Sequence, residues 1–268
     1  MTAISYVPGP SITPPVYQTF DQVKRLVPEN GAVYTWWDYG YAITDKTERA
    51  VFNDRGAQLG PTTYFMALSF ISSEQEEMRR IIGFLASQSA AGINRFNTSK
   101  DALLREVYSG KYKPRDPIFV FYTYDMIGKF SALFSIGSWN FDTLQNSVRG
   151  YQRLQCSKLE NQILTCQGVT VDLKEGLVNG QIPLRRLVQS IQSRETKIQK
   201  LKEQGLSLQL MIPNERQFSE IYFMEEAVWA SNFNQMYLLG NYDKEFFEEV
   251  FQAFPIARLF RLKDLEPL

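Results

Sequence analysis

Apolar positions along the chain follow a helical period in the first half and a strand period in much of the second. Phe20, Val23, Leu26 and Val27 recur at helical spacing behind Thr19-Phe20-Asp21-Gln22, a capping-box pattern, and Pro28 ends that helix. Residues 32–35 read as a short strand. A turn at Asn53-Asp54-Arg55-Gly56 precedes Gly60-Pro61, which opens a short helix through Tyr64, Phe65 and Leu68. Ser73 and Glu76 start the next helix, with Met78, Ile81, Ile82 and Leu85 as its buried stripe. Another begins near Ser99, buries Leu103, Leu104 and Val107, and stops at Gly110. The β-branched and aromatic run 118–122, bounded by Pro117, predicts a buried strand. Towards the end, residues 232–239 predict a helix closed by Gly240. Asp243 is expected to cap a last helix with Phe247, Val250, Phe251 and Phe254 inward, followed by a strand over 256–262.

The texture changes between residues 151 and 223. Strand formers alternate or cluster at 162–166, 169–173, 206–212 and 220–224, and turns fall at Glu175-Gly176, Asn179-Gly180 and Pro213-Asn214. The charged run 193–204 reads as a solvated helix or loop. The pattern as a whole predicts an α+β fold. Residues 19–145 and 225–268 form its mixed helical and β main domain, 146–224 form an inserted β-rich module, and 1–18 are a proline-rich linker.

Composition narrows the chemistry. Lys+Arg and Asp+Glu both number 29, and no basic run points to nucleic acid. Histidine is absent, which removes imidazole metal ligands, a histidine general base and any Ser-His triad. Two cysteines, Cys156 and Cys166, are too few for a zinc site. Apolar runs such as 130–139 fall well short of the ~20 residues a membrane helix needs. No signal peptide is visible, so a soluble chain is expected.

One stretch gathers costly residues: Trp36-Trp37-Asp38-Tyr39-Gly40. Indoles offer donors only, a carboxylate acceptors only, and a phenol both. Together they could bind a small hydroxyl, with an indole N–H to its oxygen and Asp38 accepting its proton. The simpler reading has the tryptophans filling core and Asp38 capping the next turn.

This pentapeptide, WWDYG, resembles the signature of the catalytic subunit of oligosaccharyltransferases, the enzymes of asparagine-linked protein glycosylation. Two flanking stretches resemble the bacterial single-subunit (PglB-type) branch. These are residues 41–68, with Asp54, Gly56 and Gly60 at the branch's spacing, and Phe233-Asn234-Gln235-Met236-Tyr237-Leu238-Leu239-Gly240-Asn241-Tyr242-Asp243-Lys244. The resemblance covers residues 20–140 and 215–265 and is weak between them.

The resemblance implies a glycosyltransferase that moves an oligosaccharide from a lipid pyrophosphate carrier to the asparagine of Asn-x-Ser/Thr in an acceptor protein. It implies a divalent metal, Mg or Mn, bound outside this chain, and a missing N-terminal transmembrane region from which residues 1–18 lead. The location implied is the periplasmic face of the cytoplasmic membrane. Trp36, Trp37 and Asp38 are then expected to hold the acceptor's Ser/Thr hydroxyl, with Tyr39 and Gly40 shaping the turn. No catalytic residue is expected within this chain.

The family's second peptide-contacting motif takes the form Met-x-x-Ile or Asp-x-x-Lys. Here Asp125-Met126-Ile127-Gly128-Lys129 departs from both: Met126 matches the start of one form and Lys129 the end of the other. Three residues apart on a helix, Met126 and Lys129 could line one pocket; alternatively Met126 fills core and Lys129 is a solvated end. Cys156 and Cys166 flank a hairpin centred near Asn161, which in an oxidising periplasm gives either a cross-strand disulfide or two buried thiols. Asn97-Thr98-Ser99 is itself a sequon. PglB-type enzymes are expected to want an acidic residue where this chain has Arg95. A function from another class, a stand-alone carbohydrate- or peptide-binding module without catalysis, also suits exposed aromatics and a β-rich insert.

Overall fold

The computed structural model describes residues 12–53, 60–88, 93, 99–191, 196–212 and 220–263. The expected turn at 53–56 with Asp54 and Gly56, Arg95, the sequon asparagine Asn97 and the turn at Pro213-Asn214 lie outside them, wholly or in part.

The chain opens with helix α1 (Pro14–Leu26), five residues ahead of the expected capping box and inside the stretch read as linker. Pro14 explains the start, because its fixed φ suits a first helical turn that needs no N–H. Thr19 lies mid-helix instead, its hydroxyl donating to the Val16 carbonyl at 2.6 Å. Strand β1 (Ala32–Tyr34) follows, then α2 (Gly40–Thr47) and β2 (Ala50–Val51). Helices α3 (Pro61–Ile71), α4 (Gln75–Ser87) and α5 (Lys100–Tyr108) lead to β3 (Ile118–Thr123), and α6 (Met126–Gly137) leaves its end.

A second group of strands fills the middle of the chain: β4 (Gln152–Leu154), β5 (Cys156–Glu160), β6 (Ile163–Cys166), β7 (Val169–Asp172), β8 (Leu177–Val178), β9 (Ile182–Ile191), β10 (Lys197–Lys200), β11 (Leu206–Ile212) and β12 (Glu220–Met224). They pair in the order β4-β12-β11-β9-β8-β7-β6-β5, with β10 on β9. Leu154, Leu164, Val171, Leu184, Leu208 and Phe223 form a core for this sheet, distinct from the larger core around the first. The run expected as a solvated helix or loop therefore contains a strand. β10 pairs antiparallel with β9, and its four side chains are all exposed, so backbone pairing rather than apolar burial makes the strand.

After β12 come α7 (Glu226–Ala230), a π-helical segment (Phe233–Leu238), and strands β13 (Phe247–Ala253) and β14 (Ala257–Leu262). These last strands complete a five-stranded sheet in the order β13-β14-β3-β1-β2. The helix expected over 247–254 is thus a strand. A bulge between Glu249 and Phe251 breaks the two-residue alternation there and leaves apolar spacings that imitate a helix. Asp243 still organises a turn, its carboxylate accepting from the Glu245 N–H at 2.8 Å.

Helices α3 and α6 pack closely enough that a Cβ on Gly137 would lie 2.7 Å from the Ala67 carbonyl carbon and the Leu68 nitrogen. Arg186 on β9 ties the second sheet to α7. It donates to Glu226 at 2.7 and 3.2 Å and to Ser207 Oγ at 3.0 Å, and it stacks on Trp229 at 4.3 Å. A disulfide joins Cys156 to Cys166 across the β5–β6 hairpin, whose turn residues Asn161 and Gln162 both take positive φ.

Two outcomes follow from this packing. Gly137→Ala should lower stability by about 1–3 kcal/mol through forced separation of α3 and α6, read as an earlier urea midpoint. Denatured protein alkylated without reductant should take up no label at Cys156 or Cys166, whereas two labels would contradict the bridge.

Candidate functional site

Strands β1 and β3 run parallel, with Ala32 opposite Ile118 and Tyr34 opposite Val120, so their carboxyl ends open on the same edge. Ligand sites on parallel sheets sit outside such ends. Here β1 delivers Trp36–Gly40 and β3 delivers Asp125 and Lys129.

The turn is made by backbone, not by glycine freedom. Trp36 is extended, and Trp37–Tyr39 form a single 3₁₀ turn in which the Tyr39 N–H bonds the Trp36 carbonyl at 3.2 Å. Gly40 then enters α2 with φ −52° and ψ −57°, ordinary helical values. Gly40, expected to help shape the turn, does so with helical geometry, because the 3₁₀ turn has already redirected the chain.

Trp36 is 1% exposed and stacks on the half-buried Trp37, with ring centroids 4.0 Å apart. Trp36 acts as a rigid floor, and Trp37 packs against the core while staying partly exposed. The Asp38 side chain is 20% exposed and lies 3.8 Å from the Lys129 ammonium.

Tyr39 is fully buried, and its role goes beyond turn-shaping. Its hydroxyl donates to Asp125 Oδ1 at 2.7 Å and accepts from Lys129 Nζ at 3.2 Å. Thr123 donates to the same Asp125 oxygen at 2.6 Å. Asp125 stands at the N-cap of α6 yet makes no capping bond, because its carboxylate is turned to these hydroxyls. Burial, and then the negative charge of Asp125, push the Tyr39 phenol far above the ordinary tyrosine value.

Met126 and Lys129 do not line a common pocket. Met126 is fully buried with Phe130 and Leu133, while Lys129 sits beside Asp38. Three residues on an α-helix leave an offset of about 60°, and here the core boundary falls within it. The informative spacing was Asp125 to Lys129, i to i+4, which sets the carboxylate and ammonium on one helical face at 4.0 Å. Neither Asp125 nor Thr123 had been singled out from sequence, although that spacing was visible.

Residues 29–143 match the STT3/PglB/AglB core domain. That match takes in β1 and the WWDYG stretch at one end and α6 at the other. Over 272 aligned positions the chain is 24% identical to the undecaprenyl-diphosphooligosaccharide–protein glycotransferase of Campylobacter jejuni, an alignment covering 91% of this chain and 38% of that protein. It is 33% identical over 67 residues to the dolichyl-phosphooligosaccharide-protein glycotransferase of Methanocaldococcus jannaschii, covering 25% of this chain and 7% of that protein. The chain thus spans well under half the length of these curated relatives. The crystal structure of the C. jejuni PglB C-terminal domain superposes with a TM-score of 0.73 at 18% identity, covering 93% of this chain and all of that one. The mixed α+β fold is therefore shared with that domain.

A separate apolar cavity of about 590 Å³ lies between α3, α5 and the far end of α6, lined by Tyr64, Phe65, Leu103, Ile136, Trp139 and Phe141. Its nearest α6 residue, Ser135, is six positions beyond Lys129, about 9 Å along the helix. It does not contribute to the carboxylate–ammonium cluster.

Burial sets an alkaline limit on the fold. Tyr34, Tyr39, Tyr122, Tyr151 and Tyr237 are all raised from the ordinary value of 10.0, chiefly by burial. A raised folded pKa means the unfolded chain loses its proton first, so stability is full below about pH 10 and falls as pH rises above it. Tyrosinate absorbance of the folded protein at pH 11 should report fewer ionised phenols than the 14 the chain contains, with the rest appearing only on unfolding. Simultaneous ionisation of all of them in the folded state would contradict the buried network.

Proposed function

We propose that this chain is the acceptor-reading part of an oligosaccharyltransferase. The full-length enzyme would transfer an oligosaccharide from a lipid pyrophosphate carrier to asparagine in Asn-x-Ser/Thr, at the periplasmic face of the cytoplasmic membrane. The observation that carries this reading is the pair Trp37–Asp38: a partly exposed indole stacked on buried Trp36, and a partly exposed carboxylate next to buried Tyr39. The relatives' names and the match over residues 29–143 support the reaction class.

The physical logic is selection by unmade hydrogen bonds. A Ser/Thr hydroxyl donates to Asp38 and accepts from Trp37, whereas an acceptor without that hydroxyl takes both groups out of water without supplying those hydrogen bonds. Burial of Tyr39 and Trp36 holds the two groups in place before the peptide arrives, so less ordering is needed on binding. Met126 takes no part, since an acceptor cannot reach it.

The divalent metal of this reaction would polarise the transferring group, and we assign it to residues outside this chain. Among the described residues no group of three or more His, Cys, Asp or Glu side chains comes together. The two carboxylates nearest the motif, Asp38 and Asp125, already flank the Lys129 ammonium, a donor set that does not fit a dication. No helix of the described residues is long and apolar enough to cross a membrane.

In the full-length enzyme, Asp38→Asn should cut transfer to an Asn-Ala-Thr peptide by about one to two orders of magnitude, the worth of a hydrogen bond to a charged group. Unchanged unfolding would show that the fold is intact. Near-normal transfer by the folded variant would overturn the assignment.

A further inference from the structure

Residues 139–148, the loop that follows α6, gather large apolar side chains in the open. Trp139 and Phe141 are exposed, and Leu144 and Val148 more so, at 69% and 70%. Trp139 and Phe141 also line the apolar cavity of about 590 Å³, so the cavity wall and the exposed tip share side chains. Single exposed apolar residues need no explanation, but four within one loop, beside an apolar cavity, mark an interaction surface.

The loop meets much of its hydrogen bonding from within. The Asn140 N–H donates to the Gln145 carbonyl at 2.8 Å and closes it. Asn140 Oδ1 accepts from the Asp142 and Thr143 N–H groups at 2.8 and 3.0 Å. Ser138 Oγ donates to the Ser147 carbonyl at 3.0 Å and accepts from the Ser147 N–H at 2.9 Å. Leu144 takes φ +55°, a left-handed conformation that glycine or asparagine adopts more readily. A leucine there adds strain and exposed apolar surface at once, so its side chain is explained by what it meets outside the fold.

We propose that residues 139–148 are an interfacial anchor for a zwitterionic lipid surface. Leu144 and Val148 enter the boundary between headgroups and acyl chains, and the less exposed Trp139 and Phe141 follow at headgroup level. Two observations favour lipid over a protein partner. Backbone groups entering lipid must find partners internally, as those of Asn140, Asp142, Thr143 and Ser147 do, whereas a protein interface shares hydrogen bonds across it. The flanking charges also pair off, Lys100 with Asp142 and Arg149 with Glu225, which suits headgroups without net charge. Anchoring the loop would hold the start of the 12-residue α6 about one helix length, roughly 18 Å, from the tip. The proposal is independent of the reading of Asp38.

The test measures partitioning of the 268-residue chain onto phosphatidylcholine vesicles, by co-sedimentation and by quenching of tryptophan fluorescence with brominated acyl chains. The chain should sediment with the vesicles and lose fluorescence, and Trp139→Phe should remove most of the quenching. Leu144→Asn and Val148→Asn should each weaken partitioning about tenfold, and the pair together more. Asparagine suits the left-handed φ at position 144, so that variant should unfold no earlier than the parent. Leu159→Asn, at an exposed leucine on β5, should leave partitioning unchanged.

Replacing about a fifth of the lipid by anionic phosphatidylglycerol should change partitioning less than about twofold, because the flanking charges are paired. A rise of about tenfold or more would mark an electrostatic surface and overturn the proposal. Undetectable vesicle binding would overturn it too, as would equal partitioning of the parent and both asparagine variants. If the parent self-associates without vesicles and Leu144→Asn is monomeric, the patch is a contact between copies of the chain and the lipid proposal falls.

Discussion

Parallel pairing of β1 with β3 decides where the chemistry of this chain can meet. Strands that short have few bonds of their own, and Ala32–Tyr34 holds its place because β2 and β3 flank it on both sides. Antiparallel pairing would have sent the two following segments to opposite edges. Parallel pairing puts the 3₁₀ turn at Trp37 and the start of α6 side by side. The antiparallel strand β14 then covers the other side of β3 and brings the end of the chain into the same core.

The site built at that edge is graded by depth. Tyr39 and Trp36 are sealed, whereas Trp37, Asp38, Asp125 and Lys129 are all partly exposed. Polar groups taken out of water must find partners. The Tyr39 and Thr123 hydroxyls meet that demand at Asp125 Oδ1, while buried Asp125 Oδ2 has no hydrogen bond and faces the Lys129 ammonium at 4.0 Å. The outer layer then has few degrees of freedom left before an acceptor binds. Close packing of α3 on α6 around Gly137 fixes the helix that carries Lys129.

Much of this was legible in the sequence because the relevant elements carry strong local signals. The buried run at β3, the stripe of α4 and the Ser99 cap of α5 follow from periodicity and capping alone, and Ser99 does accept from the Ala102 N–H. The strand β13 was hidden by its bulge, and β10 by a composition that looks fully solvated. At the site, the residue types of Trp36, Trp37 and Asp38 were visible but their depth was not. Depth depends on which strand neighbours which, and no local pattern encodes that β1 lies beside β3. For the same reason Met126 and Lys129 could not be assigned to core and site until the boundary of the core was known. Tyr39 looked like a turn residue, and only its long-range bond to Asp125 reveals its part.

Recognition of a hydroxyl by Trp37 and Asp38 is the central claim, and it is most directly tested by following the Trp37 indole N–H signal. The full-length protein would be titrated with a peptide carrying Asn-Ala-Thr and, separately, with one carrying Asn-Ala-Ala. The account predicts a saturating shift with the first peptide and at least about tenfold weaker binding with the second. Equal shifts at equal concentrations would contradict it.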